Sequence, residues 1–419
     1  LDLTVYDLII IGGGPSGLFC ALNAGLKGKK VLLLEKNKSL GKKLLLSGSQ
    51  QCNITHEGET RDFIRHYGDS EDFIQTCLYN FSNSDLVLFF RNTGLSIIVR
   101  EDGKMFPESL MASDVLSSLI KSCTDNSVDI HLDEPVLSVN CENNLFIVKT
   151  PIKIFKGKTC VIATGGLSYP KTGSTGDGYV FAEQLGHTII TPVPGLTGVV
   201  CENYGFADLS GISFKDVQIS LYHGGKKQRE RDGDLLFAHY GLSGPGILDL
   251  SRYIRPGDFL KINFVPIQFR KNFREDISKR IIASGTRLVI TVLKEFSIPE
   301  RFILKICEIS EVARDLKCAH MTKVQRNRLI TNLTDFPFRI LKLRGFNDAM
   351  VTHGGVKKSD IEEDSMESKY VPGLYFIGEV IDVDGDSGGY NLQFAFSSAK
   401  LAADKIVNKK IHRRNPEAL

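Results

Sequence analysis

The chain has 419 residues, of which 42% are hydrophobic and 24% charged, and its formal net charge is +3. That length allows two or three domains with a substantial core. So small a charge does not argue for nucleic acid as a partner, and no apolar stretch approaches a bilayer span. The first residues run straight into a strand and show no signal-peptide pattern. Nine cysteines are scattered without a C-x-x-C pair, which reads as reduced thiols in a cytosolic protein, not a disulfide framework or a zinc site.

In chain order, the apolar run Leu8 to Ile11 predicts a strand buried on both faces. It stops at Gly12-Gly13-Gly14-Pro15-Ser16-Gly17. Gly12 permits a tight turn, Gly14 lets backbone approach a pyrophosphate, and Gly17 lets the next helix pack on the sheet. That helix starts near Pro15, so its N–H groups face the phosphates. A second buried strand, Val31 to Leu34, ends in Glu35, placed to accept from a ribose hydroxyl. Strand, glycine turn, helix and acid together predict a dinucleotide site, without deciding between NAD and FAD.

Residues 36–70 read as a long loop of the kind that carries function. Helical spacing follows over 72–92, a strand over 95–99 and a helix over 112–122. Short strands fill 128–149. Thr159 to Gly166 is another buried strand ending in a glycine turn, and a helix is expected over 178–185. Past Pro192-Val-Pro194 the pattern alternates, with strands over 217–222 and 234–240, a sharp loop at Gly241 to Gly246, and a charged helical stretch over 268–330. The run Lys226 to Arg231 reads as a solvated hairpin. Strands return at 339–343, and Leu374 to Gly378 repeats the buried-strand-then-glycine pattern before a last helix over about 392–407. The expected organisation is a nucleotide domain over 1–194, an insert over 195–345 and a completing segment over 346–419.

The second anchor is Gly378-Glu379 followed by Gly388-Gly389-Tyr390-Asn391-Leu392. Glu379 offers a carboxylate to a polyol hydroxyl. N–H groups near Tyr390, Asn391 and Leu392 support negative charge on a reduced ring. Asp382, Asp384 and Asp386 alternate as in a calcium loop, but the Glu of the twelfth position is missing, and no metal is expected.

These motifs, with Gly41-Lys-Lys-Leu44, Ser47-Gly48, Cys52-Asn53, Ala163 to Pro170, Thr172 to Gly178, His239 to Pro245 and Gly354-Gly-Val356, resemble a known family. It is the aminoacetone-oxidase-like and bile-acid-reductase-like group of NAD(P)/FAD-dependent oxidoreductases, which bind FAD through two separated segments. The resemblance spans nearly the whole chain. It implies an α/β fold: a Rossmann-like FAD domain split by a β-barrel-like insert with a helical subdomain. It also implies adenosine at Glu35, pyrophosphate at Gly12 to Gly17, flavin near Gly378 to Leu392, and cofactor contacts at Lys36 and Val136. Lys43, Ser47, Gly48, Cys52 and Asn53 complete the expected cofactor set, with Ala163, Thr164, Gly165 and Gly166. Members commonly carry Gly-Gly-Arg-Cys-Asn where this chain has Ser49-Gln50-Gln51-Cys52-Asn53, so a charged contact is missing.

Cys77 is too far along the chain to pair with Cys52 as in flavin disulfide reductases, so Cys52 reads as a packed thiol. His239, before a glycine loop, is the candidate catalytic residue. The expectation is an FAD-dependent oxidoreductase acting on a small molecule, with NAD(P)H visiting transiently or oxygen as acceptor. No second G-x-G-x-x-G unit exists for a nicotinamide domain. The rival is a flavin-bound, RNA-associated or regulatory protein without turnover of its own.

Overall fold

The computed structural model describes residues 4–409. The outermost ends of the expected nucleotide domain, residues 1–3 and 410–419, lie outside them. The chain divides into two compact units: one built from the chain up to Val193 and again from Met350, the other from Pro194 to Ala349.

The first unit is organised by a five-stranded parallel sheet in the order Leu374–Phe376, Cys160–Ile162, Leu8–Ile11, Val31–Leu34, Asp129–His131. The apolar runs make this arrangement possible. Every residue of the strands Leu8–Ile11 and Val31–Leu34 is buried, as a sheet covered on both faces requires. The two sequence segments therefore meet in one sheet, because Leu374–Phe376 pairs in register with Cys160–Ile162. A second sheet of four strands holds Val5–Tyr6 beside Ile154–Gly157, Leu145–Lys149 and Ser138–Glu142. This is an α/β, Rossmann-like architecture.

Helix Pro15–Gly25 presents Phe19 to Phe81, Phe89 and Phe396, with ring centroids 5.2, 5.0 and 5.2 Å away. One aromatic side chain thus joins the first helix to the last, Tyr390–Asn408, and to the helical pair after the long loop. That pair, expected as one periodic stretch, breaks into Glu71–Asn80 and Asn83–Asn92. Ser82 and Asp85 form a capping box at the break, which satisfies the new N-terminus and makes the turn favourable.

The second unit holds a closed six-stranded barrel: Val199–Cys201, Gly241–Ser243, Lys226–Ala238, Ser213–His223, Phe259–Asn263, Phe336–Leu343. Inward positions such as Ile219, Leu221, Phe237, Leu260 and Ile262 are buried, and most of their strand neighbours are only half-buried. Helices from Ile267 to Thr334 pack on the same core through Phe302, whose ring lies 4.5 Å from that of Phe264.

One expectation needs correction here. Gly241 to Gly246 is not a loop. Gly241–Ser243 is a barrel strand and Pro245–Leu250 a helix, because the glycine at 241 lets its backbone close on the Val199 carbonyl where a β-carbon would collide. The run Lys226 to Arg231 is the solvated hairpin arm expected: it opens the strand Lys226–Ala238, exposed over its first residues, whose partner Ser213–His223 continues alongside it to the turn.

Phe19 is 1% exposed and contacts three rings, so Phe19→Ala leaves a cavity at the junction of the helices. The expected loss is about 3–5 kcal/mol. Urea unfolding of the first unit, followed by flavin release, should show the midpoint falling accordingly. An unchanged midpoint would contradict the packing described.

Candidate functional site

The glycine turn is built by two close backbone contacts. Gly12 has φ +112, and a β-carbon there would collide with the Ala163 carbonyl oxygen. A β-carbon on Gly17 would strike the Gly12 carbonyl oxygen. Gly14 differs: it has φ −80, and a β-carbon there would meet no atom within 4 Å. Gly12 and Gly17 thus serve the protein's own packing, while the space over Gly14 stands open at the N-terminus of helix Pro15–Gly25. An anion there would face unpaired N–H groups and the positive end of the helix dipole.

Glu35 lies beneath this turn. Its carboxylate accepts from the N–H of Gly13 at 2.8 Å and from the backbone and side-chain N–H groups of Asn37 at 2.8 and 2.7 Å. Glu134, which donates its N–H to the Glu35 carbonyl, follows the third strand, and Val136 two residues on is half-buried. Lys36 reaches across to Asp177 at 2.6 Å. Its charge is therefore engaged by the chain itself.

The 41–53 loop docks on the turn through the Gly41 N–H, which donates to the Gly13 carbonyl at 2.9 Å. From it Lys43 extends to Glu379 at 2.6 Å, joining residues 336 positions apart. The other Glu379 oxygen accepts from Ser168 Oγ at 2.9 Å and from the Thr352 N–H at 2.8 Å. Lys43 also bonds Ser168. Thr352 Oγ1 in turn accepts from the N–H groups of Leu167 and Ser168. The expected polyol contact of Glu379 thus has a structural use as well: it ties three segments together.

Further along the loop, Ser47 Oγ donates to the Leu44 carbonyl at 2.6 Å. Gly48, Ser49, Gln50 and Cys52 all adopt left-handed backbone, with φ from 54 to 73. Gln51, at the position of the missing arginine, accepts from the Arg100 guanidinium at 2.6 Å, and Arg100 lies over the Phe106 ring. The charge absent from the loop is delivered from a neighbouring segment.

At the C-terminal segment, a β-carbon on Gly378 would press on Ser16 Oγ, and one on Gly389, with φ +98, would collide with the Thr55 backbone. The room at Gly389 is for Thr55, not only for a ligand. The Asn391 side chain accepts from Gly385 N–H at 2.9 Å and donates to the Gly385 carbonyl at 2.9 Å, fixing the turn before the helix. Tyr390 is stacked between His66 and His56, ring centroids 4.1 and 5.4 Å away, and His66 Nδ1 lies 3.2 Å from Asp386.

The same turn holds a pair that sequence reading passed over. His353, in the strand Val351–Val356, places Nδ1 2.7 Å from Asp384, a carboxylate only 5% exposed. The His353 side chain itself is 36% exposed. Burial pushes the nearby Asp382 carboxyl above its usual range, with Lys358 and His353 pulling it back. By contrast His239 lies in the second unit, exposed on the turn after Ala238, with no hydrogen bond among the described residues to orient it. The three aspartates do not converge. Among the described residues no group of three or more His, Cys, Asp or Glu is placed to hold a metal ion.

Three buried polar atoms along this surface have no hydrogen-bond partner among the described residues: Asn53 Oδ1, Glu134 Oε1 and Thr164 Oγ1. Thr164 follows the strand Cys160–Ile162, beside Ala163, and Gly165 and Gly166 continue the loop. Orphaned groups of this kind call for a ligand or water. Together with the open space over Gly14, they fit a long polar cofactor.

The family model described as HI0933-like protein Rossmann domain matches residues 6–405. The chain belongs to this family. Its members are FAD-dependent oxidoreductases, in agreement with the resemblance read from the motifs. The chain is 31% identical to a ribosomal RNA dihydrouridine synthase of Escherichia coli, over 97% of this chain and 99% of that one. It is 29% identical to a 3-dehydro-bile acid delta(4,6)-reductase of Clostridium scindens, over 94% and 97% of the two chains. The fold is shared with a 3-ketosteroid-delta4-(5alpha)-dehydrogenase from Rhodococcus jostii RHA1, at a TM-score of 0.51 and 14% identity, over 96% of this chain and 97% of that one. No helix among the described residues is long and apolar enough to cross a membrane.

Two predictions follow from the geometry. Gly14→Ala adds a methyl group into open space without backbone strain, so the apoprotein should melt as wild type while FAD affinity falls. Gly17→Ala should lower the apoprotein melting temperature itself, because it strikes the Gly12 carbonyl. Equal behaviour of the two variants in differential scanning would refute the division of labour within the turn.

Cys52 is fully buried, and burial pushes its thiol up to about 12 despite a hydrogen bond with Ser47. It stays protonated, and poorly nucleophilic, well above neutral pH. Iodoacetamide at pH about 8 should label the exposed Cys141 and spare Cys52, read by peptide mass mapping. Prompt labelling of Cys52 would reopen a redox role.

Proposed function

We propose that this chain is an FAD-dependent reductase that saturates a carbon–carbon double bond conjugated to a carbonyl, with the uracil ring of an RNA as substrate and NAD(P)H as electron donor. One observation carries the reading. Two relatives matched over nearly their full lengths are named for what is chemically one reaction, on a ribosomal RNA and on a 3-dehydro-bile acid. Dihydrouridine is uridine with its ring double bond saturated, and that bond is conjugated to a carbonyl. Two hydrogens are added across an electron-poor double bond in either case.

In this reading the Gly12–Gly17 turn and its helix N-terminus hold the pyrophosphate, Glu35 with Asn37 holds the adenosine ribose, and the Gly388–Leu392 segment carries the ring. FAD held there supplies hydride chemistry toward the electron-poor carbon. The chain's own contribution is orientation and a proton. The His353 imidazole, held through Nδ1 by Asp384 at 2.7 Å, is the group assigned to give a proton to the carbon beside the carbonyl. A buried carboxylate behind a half-exposed imidazole selects the ring orientation. No second dinucleotide motif is present, so the nicotinamide donor visits and leaves.

A second reading keeps the chemistry and exchanges RNA for a small steroid-like enone, on the strength of the bile acid reductase relative. Anaerobic stopped-flow separates the possibilities. NADPH or NADH should bleach the flavin, an in vitro ribosomal RNA transcript should restore its colour, and mass spectrometry should find uridine carrying two added hydrogens. Re-oxidation by a 3-keto-4-ene steroid with the RNA unaltered would favour the second reading. Failure of both nicotinamides to bleach the flavin would remove the donor assignment. His353→Ala should slow the re-oxidation step by about 10²–10⁴ and flatten its pH dependence; an unaltered rate would remove His353 from the chemistry.

A further inference from the structure

The small net charge conceals an asymmetry. Pro194–Ala349 holds 25 Lys and Arg against 17 Asp and Glu, whereas the rest of the chain holds 27 against 32. Part of the excess gathers at one end of the barrel. There the strands Ser213–His223 and Lys226–Ala238 turn at Gly224-Gly225, with Tyr222 opposite both Lys227 and Phe259 in the neighbouring strand. The segment before Phe259 is tied to the hairpin tip by His223 Nδ1, 2.6 Å from Asp258. The registers put Tyr222, Lys227 and Phe259 on one face of this barrel end and Arg229, opposite the buried Leu221, on the other.

Flat rings and cations are interleaved at this end. The Arg229 guanidinium lies 3.7 Å from the Tyr253 ring centroid, and Lys261 Nζ lies 4.9 Å from that of Tyr222. Phe259 is 40% exposed, and Lys226, Lys227 and Arg255 are exposed around it. The acids nearby are occupied. Asp258 is 2% exposed and also accepts from the Arg255 N–H at 2.8 Å. Glu230 is taken by Lys227 and Ser220, which hold its carboxyl below the usual range, and Asp335 is taken by Lys261. An acidic polypeptide would need only the cations. The exposed Phe259 ring, beside the half-buried Tyr222, adds what nucleobases use, because every base has a face to stack.

We propose that this end of the barrel is a binding surface for a single-stranded segment of RNA, with Lys226 and Arg255 on phosphates and the Phe259 ring on a base. The inference rests on the reading of the protein as an RNA-modifying reductase.

The test uses FAD-loaded full-length protein and a fluorescein-labelled single-stranded oligouridylate, followed by anisotropy over a salt series. Lys226→Glu with Arg255→Glu reverses two exposed cations, and Lys279→Glu, on the helix Phe273–Ala283, is the charge control. The double variant should bind at least about tenfold more weakly, with a salt slope shallower by about 1.4, the value for two lost phosphate contacts on a single strand. The control should bind as wild type, and flavin absorbance should show all three proteins folded. Wild-type binding matched by the double variant would overturn the surface and leave the enzymatic reading standing. No binding by wild type would overturn the surface, and combined with enone reduction it would also remove RNA as substrate. Equal competition by polyglutamate and RNA would make this a site for acidic polymers and overturn the proposal. Binding lost in the variant without uridine reduction by any form would keep the surface and remove the reading.

Discussion

The first unit depends on one backbone contact. The Gly12 carbonyl faces the α-carbon of Gly17 at a distance no side chain allows, and Gly12 itself lies against the Ala163 carbonyl. Two strands and a helix are locked together by groups that are all main chain. Their relative positions therefore owe little to side-chain rotamers. This is why the third glycine can be spared for something else: with Gly12 and Gly17 holding the frame, Gly14 leaves a rigid opening at a helix N-terminus. A site for a charged cofactor needs such pre-set donors, since donors that must move into place cost conformational entropy on binding.

A second constraint is electrostatic. Glu379 gathers a lysine from residue 43, a hydroxyl from residue 168 and an N–H from residue 352. Its side chain and that of Lys43 are 21% and 25% exposed, so the pair is neither fully screened nor fully desolvated. Its value lies in registry more than in net stability. Lys43 and Ser168 come from loops that follow the parallel strands Val31–Leu34 and Cys160–Ile162, and Thr352 from the separate strand Val351–Val356. Losing either charge would leave the other half-buried and release three segments together.

The parts legible in the sequence were those with a strict local code. Leu8–Ile11 and Val31–Leu34 are uninterrupted apolar runs, and only a doubly covered sheet accommodates them. The glycine spacing is equally local. What escaped was set by partners distant in the chain. His353 looks ordinary until Asp384, 31 positions later, is found beside it. Its one local hint was its place next to Gly354-Gly355. The side-chain bonds of Asn391 to Gly385 were not legible in the motif. The run Lys226 to Arg231 was legible as a solvated hairpin from its charge. At the barrel end both faces of a long hairpin reach solvent, so burial imposes no alternation there. The charge asymmetry was hidden for a simpler reason: a sum over the whole chain cancels opposite excesses in its two units.

The 48–52 loop joins these themes. Ser49, Gln50 and Cys52 hold left-handed backbone that costs a residue with a β-carbon about 1–2 kcal/mol relative to the ordinary helical region. Resembling sequences place glycine at the first two of these positions and escape the cost. Strain of this kind persists only where the surroundings over-determine the conformation. Here the Ala112 N–H donates to the Gln50 carbonyl at 2.8 Å, the Cys52 N–H to the Ser47 carbonyl at 3.0 Å, and Arg100 holds the Gln51 side chain. The loop is thereby pinned from the helix Ala112–Asp125, from its own start and from the strand region of Arg100. What the pinning presents is Asn53, whose Oδ1 is buried and without a partner among the described residues. A strained backbone held by three outside contacts so that one amide stays unsatisfied is poor design for stability alone, and it is intelligible if a ligand completes that amide.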